Sequence, residues 1–199
     1  MNIIWHGHSC FEITGKDGTI VFDPYQANSV PGLNSLKLKA NLVLCSHEHD
    51  DHNARNCVEV APKDFKVTCI ETYHDHHQGS HRGKNTIHIV DFENLKVVHM
   101  GDIGCMMDDV SKLKNCDVLM IPIGGYYTID TKEALKYIER IQPRIVIPMH
   151  YCSHEFGYDV LSTNEEFIQQ SSSVTYVDDC LEVNKDTKTQ TVVFKKPRN

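Results

Sequence analysis

The run Ser46-His47-Glu48-His49-Asp50-Asp51-His52 limits this chain more than any other feature. It sets histidine and aspartate at His-x-His-x-Asp-His spacing directly after the apolar run Leu42-Val43-Leu44-Cys45. Side chains alternate along an extended chain, so a buried strand ending here sends His47 and His49 to the same side. Asp51 and His52 follow in a turn, where adjacent residues can point toward a second position nearby. One short segment thus offers ligands to two metal ions. Imidazole and carboxylate suit zinc, manganese or iron. With no thiolate in the set, a catalytic site with open positions is favoured over a structural zinc.

The rest of the chain must fold so as to complete those coordination spheres. Its 199 residues suffice for one domain with a substantial core, and residues 1–199 are expected to form a single domain. No apolar run approaches the roughly 20 residues that span a bilayer. The start, Met1-Asn2-Ile3-Ile4-Trp5-His6, has no basic region followed by an apolar segment, so a cytoplasmic protein is expected. The eight cysteines are scattered without a Cys-x-x-Cys pair, which reads as free thiols, mostly small buried hydrophobes. Cys45 and Cys152 stand two residues from candidate ligands, and free thiols are the expectation there too. A net charge of −7 argues against an extended nucleic-acid surface, though bound cations would still let the site attract an anion.

Strand patterns fall at Ile3–Trp5, Cys10–Ile13 and Thr19–Phe22, with Lys16-Asp17-Gly18 as a turn, giving an antiparallel start. Pro24 is expected to hold Asp23 extended. Residues 26–39 read as a loop near the site, and Ala54 to Ala61 as a short helix closed by Pro62. Further strands are expected at Lys66–Ile70, Thr86–Asp91, Leu95–His99, Val118–Ile121 and Arg144–Met149, with closing strands at Val174–Val177, Leu181–Val183 and Thr191–Lys195. Helices are expected at Met107–Leu113, from the Asp130 cap to Ile141, and from a Thr163-Asn164-Glu165-Glu166 capping box to Gln170. Early strands followed by strand–helix alternation fit an α/β (α+β) arrangement, two sheets face to face with helices outside.

The His-x-His-x-Asp-His run, with Phe22-Asp23-Pro24, Tyr73-His74, His99-Met100-Gly101-Asp102 and Ile147-Pro148-Met149-His150, resembles the metallo-β-lactamase fold superfamily over most of the chain. The wording and order of these pieces resemble a branch of small bacterial metal-dependent hydrolases whose relatives include a lactonase acting on ascorbate phosphate lactone. The resemblance implies a four-layer αββα sandwich. It implies one metal held by His47, His49 and His74, a second held by Asp51, His52 and His150, and Asp102 bridging both. It also implies that Asp23 supports the metal-binding loop.

Two divalent ions, zinc foremost and manganese or iron as alternatives, would acidify a shared water toward pKa about 7 and polarise the substrate oxygen. Asp51 and Asp102 are then the catalytic carboxylates. A hydrolase acting on a small ester, lactone or phosphodiester follows, with a small-molecule substrate, no membrane partner and room for a homo-oligomer. Asp102 stands where true lactamases of this fold carry cysteine, so antibiotic hydrolysis is a poor reading. A nuclease shares the motif but calls for a basic surface. A di-iron redox protein calls for glutamate where His49 stands. A non-catalytic metal-binding domain would be missing ligands.

Other residues carry two readings each. His8 lines the site or forms a turn, and His99 supports the site or packs in the core. The ring and hydroxyl of Tyr127, like those of Tyr126, contact substrate or pack. Arg82 and Lys84 clamp an anion or stay solvated. His76, His77 and His81 lie in a polar loop and are expected to be solvated. His88 is expected to be structural, and His154 is unassigned.

Overall fold

In the first three strands, alternating side chains serve two different cores. The computed structural model describes residues 1–198. Strands β1 (Asn2–Gly7), β2 (Cys10–Gly15) and β3 (Gly18–Phe22) form the expected antiparallel start. Ile3, Trp5, Phe11, Ile13, Ile20 and Phe22 face the main core, while Cys10 and Val21 point the other way. Both faces are therefore covered. β5 (Leu42–Leu44) joins β3 in parallel and β13 (Cys180–Glu182) closes the other edge, giving the order β13-β1-β2-β3-β5.

The second sheet begins with a meander of β7 (Lys66–Tyr73), β8 (Lys84–Phe92) and β9 (Leu95–His99). From β9 it continues in parallel through β10 (Val118–Pro122), β11 (Ile145–Met149), β14 (Gln190–Phe194) and β12 (Val174–Val177). Every residue of β10 and β11 is buried, as parallel strands covered on both faces must be. Pro148 lacks an N–H, yet sits within β11. The pairing to β14 ends at Val146, so that neighbour is not deprived of a bond.

Between β10 and β11 runs α1 (Thr131–Ile141), which buries Thr131, Ala134, Tyr137 and Ile141 along one face. Asp130 and Glu133 form a reciprocal capping box at its start. A shorter α2 (Glu165–Gln170) buries Phe167. The inner faces of the two sheets share one core, in which Trp5 lies against Phe11, Tyr151, Phe156 and Phe194. This is the expected mixed α/β sandwich, with few helices. The outer face of the five-stranded sheet is packed by Tyr25, Val30, Ala40 and Val58 from a loop and a ribbon of β4 (Leu38–Ala40) and β6 (Val58–Val60).

Three local expectations are corrected. The helix over Ala54–Ala61 is a single 3-10 turn, Arg55–Cys57, followed by β6. Pairing of Val58 and Val60 with β4 wins there over helix periodicity. Met107–Leu113 is irregular, because Arg140 and Tyr137 capture its backbone. The guanidinium donates to the carbonyls of Met107 and Asp108, and the hydroxyl accepts from Met107 N–H and donates to Cys105 O. The capping box at Thr163–Glu166 does not form, and Asn164 caps α2 without a side-chain bond.

Tyr137→Phe removes both bonds of that buried hydroxyl. A loss of about 1–3 kcal/mol is expected, read as a drop of roughly 2–10 °C in the thermal midpoint. An unchanged midpoint would refute this account of the 105–108 segment.

Candidate metal centre

Candidate ligands leave the C-terminal ends of strands from both sheets at one edge of the sandwich. The His47–His52 segment follows β5, His74 follows β7, Asp102 lies past β9, and His150 follows β11. His8 sits in the tight turn between β1 and β2. The structure brings all seven expected ligands together. In one group, the ligand atoms of His47, His49 and His74 lie within 4.8 Å of one another. A second such group is His8, Asp51, His52 and His150, and a third, linking them, is His47, His52 and Asp102. Asp102 Oδ2 is 3.0 Å from His150 Nε2, 3.2 Å from His52 Nε2 and 3.3 Å from His74 Nε2.

Hydrogen bonds behind the rings set which nitrogen faces inward. Asp23 accepts from the Ser46 backbone N–H at Oδ1 (2.6 Å), and at Oδ2 from Ser46 Oγ (2.6 Å) and His52 Nδ1 (2.9 Å). With its proton given to Asp23, Ser46 Oγ accepts from His47 Nδ1 at 2.9 Å. His74 Nδ1 donates to the Tyr127 carbonyl at 3.0 Å. Each Nε2 is thereby left as a lone pair aimed into the site. His47 Nε2, His52 Nε2 and Asp102 Oδ1 are buried without a hydrogen-bond partner. Orphaned buried acceptors are costly unless something binds them, and a cation fits this donor set.

The backbone is strained at the same places. Asp23 (φ 42°), His8 (φ 52°) and His150 (φ 54°) are all left-handed. Asp23 is therefore not held in the extended φ expected from Pro24; its three accepted hydrogen bonds override that preference. Gly101 (φ 57°) lets the chain close onto the site, since a Cβ there would meet Asn85 Oδ1 at 2.3 Å and Ser46 Cβ at 2.5 Å.

The electrostatics call for positive charge. Burial would raise the pKa of Asp23, but His52, hydrogen-bonded to it, holds it low. Asp51 and Asp102 are likewise held low against burial, Asp51 first by His52 and Asp102 first by His150. His52 runs the other way: burial would lower it, yet Asp102, Asp51 and Asp23 hold it well above the ordinary value. Burial, followed by His52, lowers His47 to about 3, and burial lowers His74. His47 and His74 are thus neutral and the three carboxylates ionised, the forms that ligate metal, and the proton that the carboxylates hold on His52 is one that a cation bound among them would displace.

Remaining residues divide clearly. His8 Nε2 lies 3.2 Å from Asp51 Oδ2, and its ring packs 4.1 Å from that of His150, so it lines the site. His99 is fully buried. It donates through Nε2 to Ser9 O, accepts from Gly101 N–H and stacks on Phe22 behind Asp23. His88 is buried in β8 as expected. His76 faces Glu133 at 3.5 Å and Lys84 pairs with Glu71, while His77, His81 and His154 are exposed. Cys45 is a free thiol raised to about 12 by burial, and Cys152 bonds Leu161 O.

Sequence spacing gave no sign of Tyr158. Its hydroxyl lies 2.7 Å from Ser29 O and 3.2 Å from Asp51 Oδ2. The open cleft over the site, about 260 Å³, is lined by His49, Asp51, His74, Arg82, Asp102, Tyr127, His150 and Tyr158.

A family model described as the beta-lactamase superfamily domain matches residues 2–150. The chain belongs to that superfamily. A metal-dependent hydrolase of Staphylothermus marinus is 30% identical over 192 residues, covering 73% of this chain and 81% of that protein. One from Thermoplasma acidophilum is 29% identical over 189 residues, covering 76% and 83%. A Thermotoga maritima structure, described as that of a Zn-dependent hydrolase of the metallo-β-lactamase superfamily, superposes with a TM-score of 0.78 at 27% identity, covering 97% of each chain. The protein is thus a metal-dependent hydrolase with the expected fold.

In this hydrolase Asp23 touches no candidate metal position, yet it sets two rings. Asp23→Asn is expected to weaken metal affinity roughly 10–100-fold, measured by chelator competition with the circular dichroism spectrum retained. Equal affinity would show that Ser46 and His52 hold their geometry without the carboxylate.

Proposed function

We propose that this metal-dependent hydrolase is dinuclear and cleaves a small ester, lactone or phosphodiester. The observation that carries the reading is the position of Asp102 Oδ2, near His74 of one ligand group and near His52 and His150 of the other. A carboxylate so placed would serve two cations at once. His47, His49 and His74 would hold one; Asp51, His52 and His150 would hold the other. Zinc suits these nitrogen and oxygen donors, with manganese or iron as substitutes. When bound, the pair supplies an acidified water and a Lewis acid for the substrate oxygen.

The protein's own groups do the remaining work. Asp51, whose Oδ2 is held by His8 Nε2 and by the Tyr158 hydroxyl, each at 3.2 Å, lines the cleft and would orient an attacking water toward the substrate. The carbonyl of Tyr127 and the carboxylate of Asp23 keep the rings from turning as charge develops. A cleft of about 260 Å³ suits a small molecule. Among the described residues no helix is long and apolar enough to cross a membrane. All eight cysteines are unpaired, which supports a reducing cytoplasmic setting.

Purified protein is expected to carry two equivalents of divalent metal by elemental analysis. Chelation should abolish hydrolysis across a panel of lactones, esters and phosphodiesters, and zinc or manganese should restore it. Asp102→Ala is expected to lower metal content and cut turnover by at least about a hundredfold. One equivalent in a fully active protein would overturn the dinuclear reading.

A further inference from the structure

Arg82 stands apart from the other arginines. The chain has five. Arg55 pairs with Glu48, Arg144 with Asp117 and Arg198 with Asp179, while Arg140 donates to the carbonyls of Met107 and Asp108. Among the described residues, the Arg82 guanidinium has neither a carboxylate within 4.0 Å nor a hydrogen-bond acceptor. Arg82 nonetheless lines the cleft beside His49, Asp51, His74 and Asp102. Its five N–H donors are therefore free to bind something that enters.

The guanidinium is held without being neutralised. Its carbon lies 5.2 Å from the ring centre of Tyr127 and 5.8 Å from that of Tyr126, an aromatic seat that leaves the charge uncompensated. The loop that carries it is tied down from within. The buried Asp75 carboxylate accepts from the backbone N–H groups of His77, Gly79, His81 and Arg82. Burial would raise the Asp75 pKa, but those donors hold it at about 2. Gly83 N–H donates to Gly79 O, and His74 N–H donates to Gly83 O, which closes the loop onto a candidate metal ligand. The position of Arg82 is thus fixed relative to His74 by the backbone.

We propose that Arg82 is a specificity residue that binds an oxyanion, a carboxylate or a phosphate, on the substrate away from the bond being cleaved. The proposal rests on the hydrolase reading above and narrows its substrates to those carrying a second, anionic group. The planar fork matches two oxygens of either group, which makes lysine a poor replacement. Lys84 does not share the role, since it pairs with Glu71.

The test compares 4-nitrophenyl acetate with 4-nitrophenyl hydrogen succinate, the same leaving group without and with a carboxylate, on metal-loaded protein. Wild type should favour the succinate in kcat/KM. Arg82→Gln should reduce that preference about tenfold, the worth of a charge-assisted pair, and Arg82→Lys should restore only part of it. Calorimetric titration of the same proteins with acetate and with methyl phosphate separates the two anions. The anion that Arg82 recognises should bind wild type about tenfold more tightly than Arg82→Gln at equal metal content. An equal preference together with equal affinities for both anions overturns the assignment. If neither ester is hydrolysed, the ester reading falls, and the titrations alone decide the role of Arg82.

Discussion

Burying carboxylates among imidazoles is the constraint on which this structure depends. Asp23 and Asp102 are sealed from solvent and Asp51 is partly buried, and burial disfavours the charge on each. Such a group stays ionised only beside compensating charge and hydrogen bonds. Asp23 answers with Ser46 and His52; Asp102 answers with a ring of Nε2 atoms. The end of β3 at Asp23, the turn at His8 and the end of β11 at His150 all bend into left-handed backbone to provide these contacts. The sandwich supplies the rigidity, since strands packed on both faces give those bends a fixed base.

The division of labour between sheets follows from chain order. The first sheet, antiparallel except where β5 joins β3, offers His8, Asp23 and the His47–His52 segment, all within its own strand ends and turns. The second sheet, parallel through its middle, points the ends of β9 and β11 at the same edge, and the meander returns β7 to it. The site is therefore a seam between two sheets that share one core.

What the sequence made legible was whatever depends on strand ends. His47, His74, Asp102 and His150 each follow an expected strand, and the resemblance assigned them to one site. Asp23 was legible as a partner by resemblance, but its backbone conformation was not, because the bonds that impose it come from Ser46 and His52, far along the chain. The 107–113 segment is irregular where the sequence suggests helix, because the side chains that hold its backbone, Tyr137 and Arg140, belong to a distant element. Tyr158 left no trace in spacing: its tie to Ser29 exists only once two loops are packed together. Arg82 was visible as a loop charge, yet its freedom from any acceptor is a property of the folded surface alone.

Tyr127 gives one residue two independent duties. Its carbonyl orients His74, and its ring supports Arg82. Any amino acid supplies the carbonyl, whereas only an aromatic supplies the ring. Drift at this position can thus remodel the mouth of the cleft while the metal-holding geometry beneath persists, so related proteins can part company in what they accept without having to reinvent how they react.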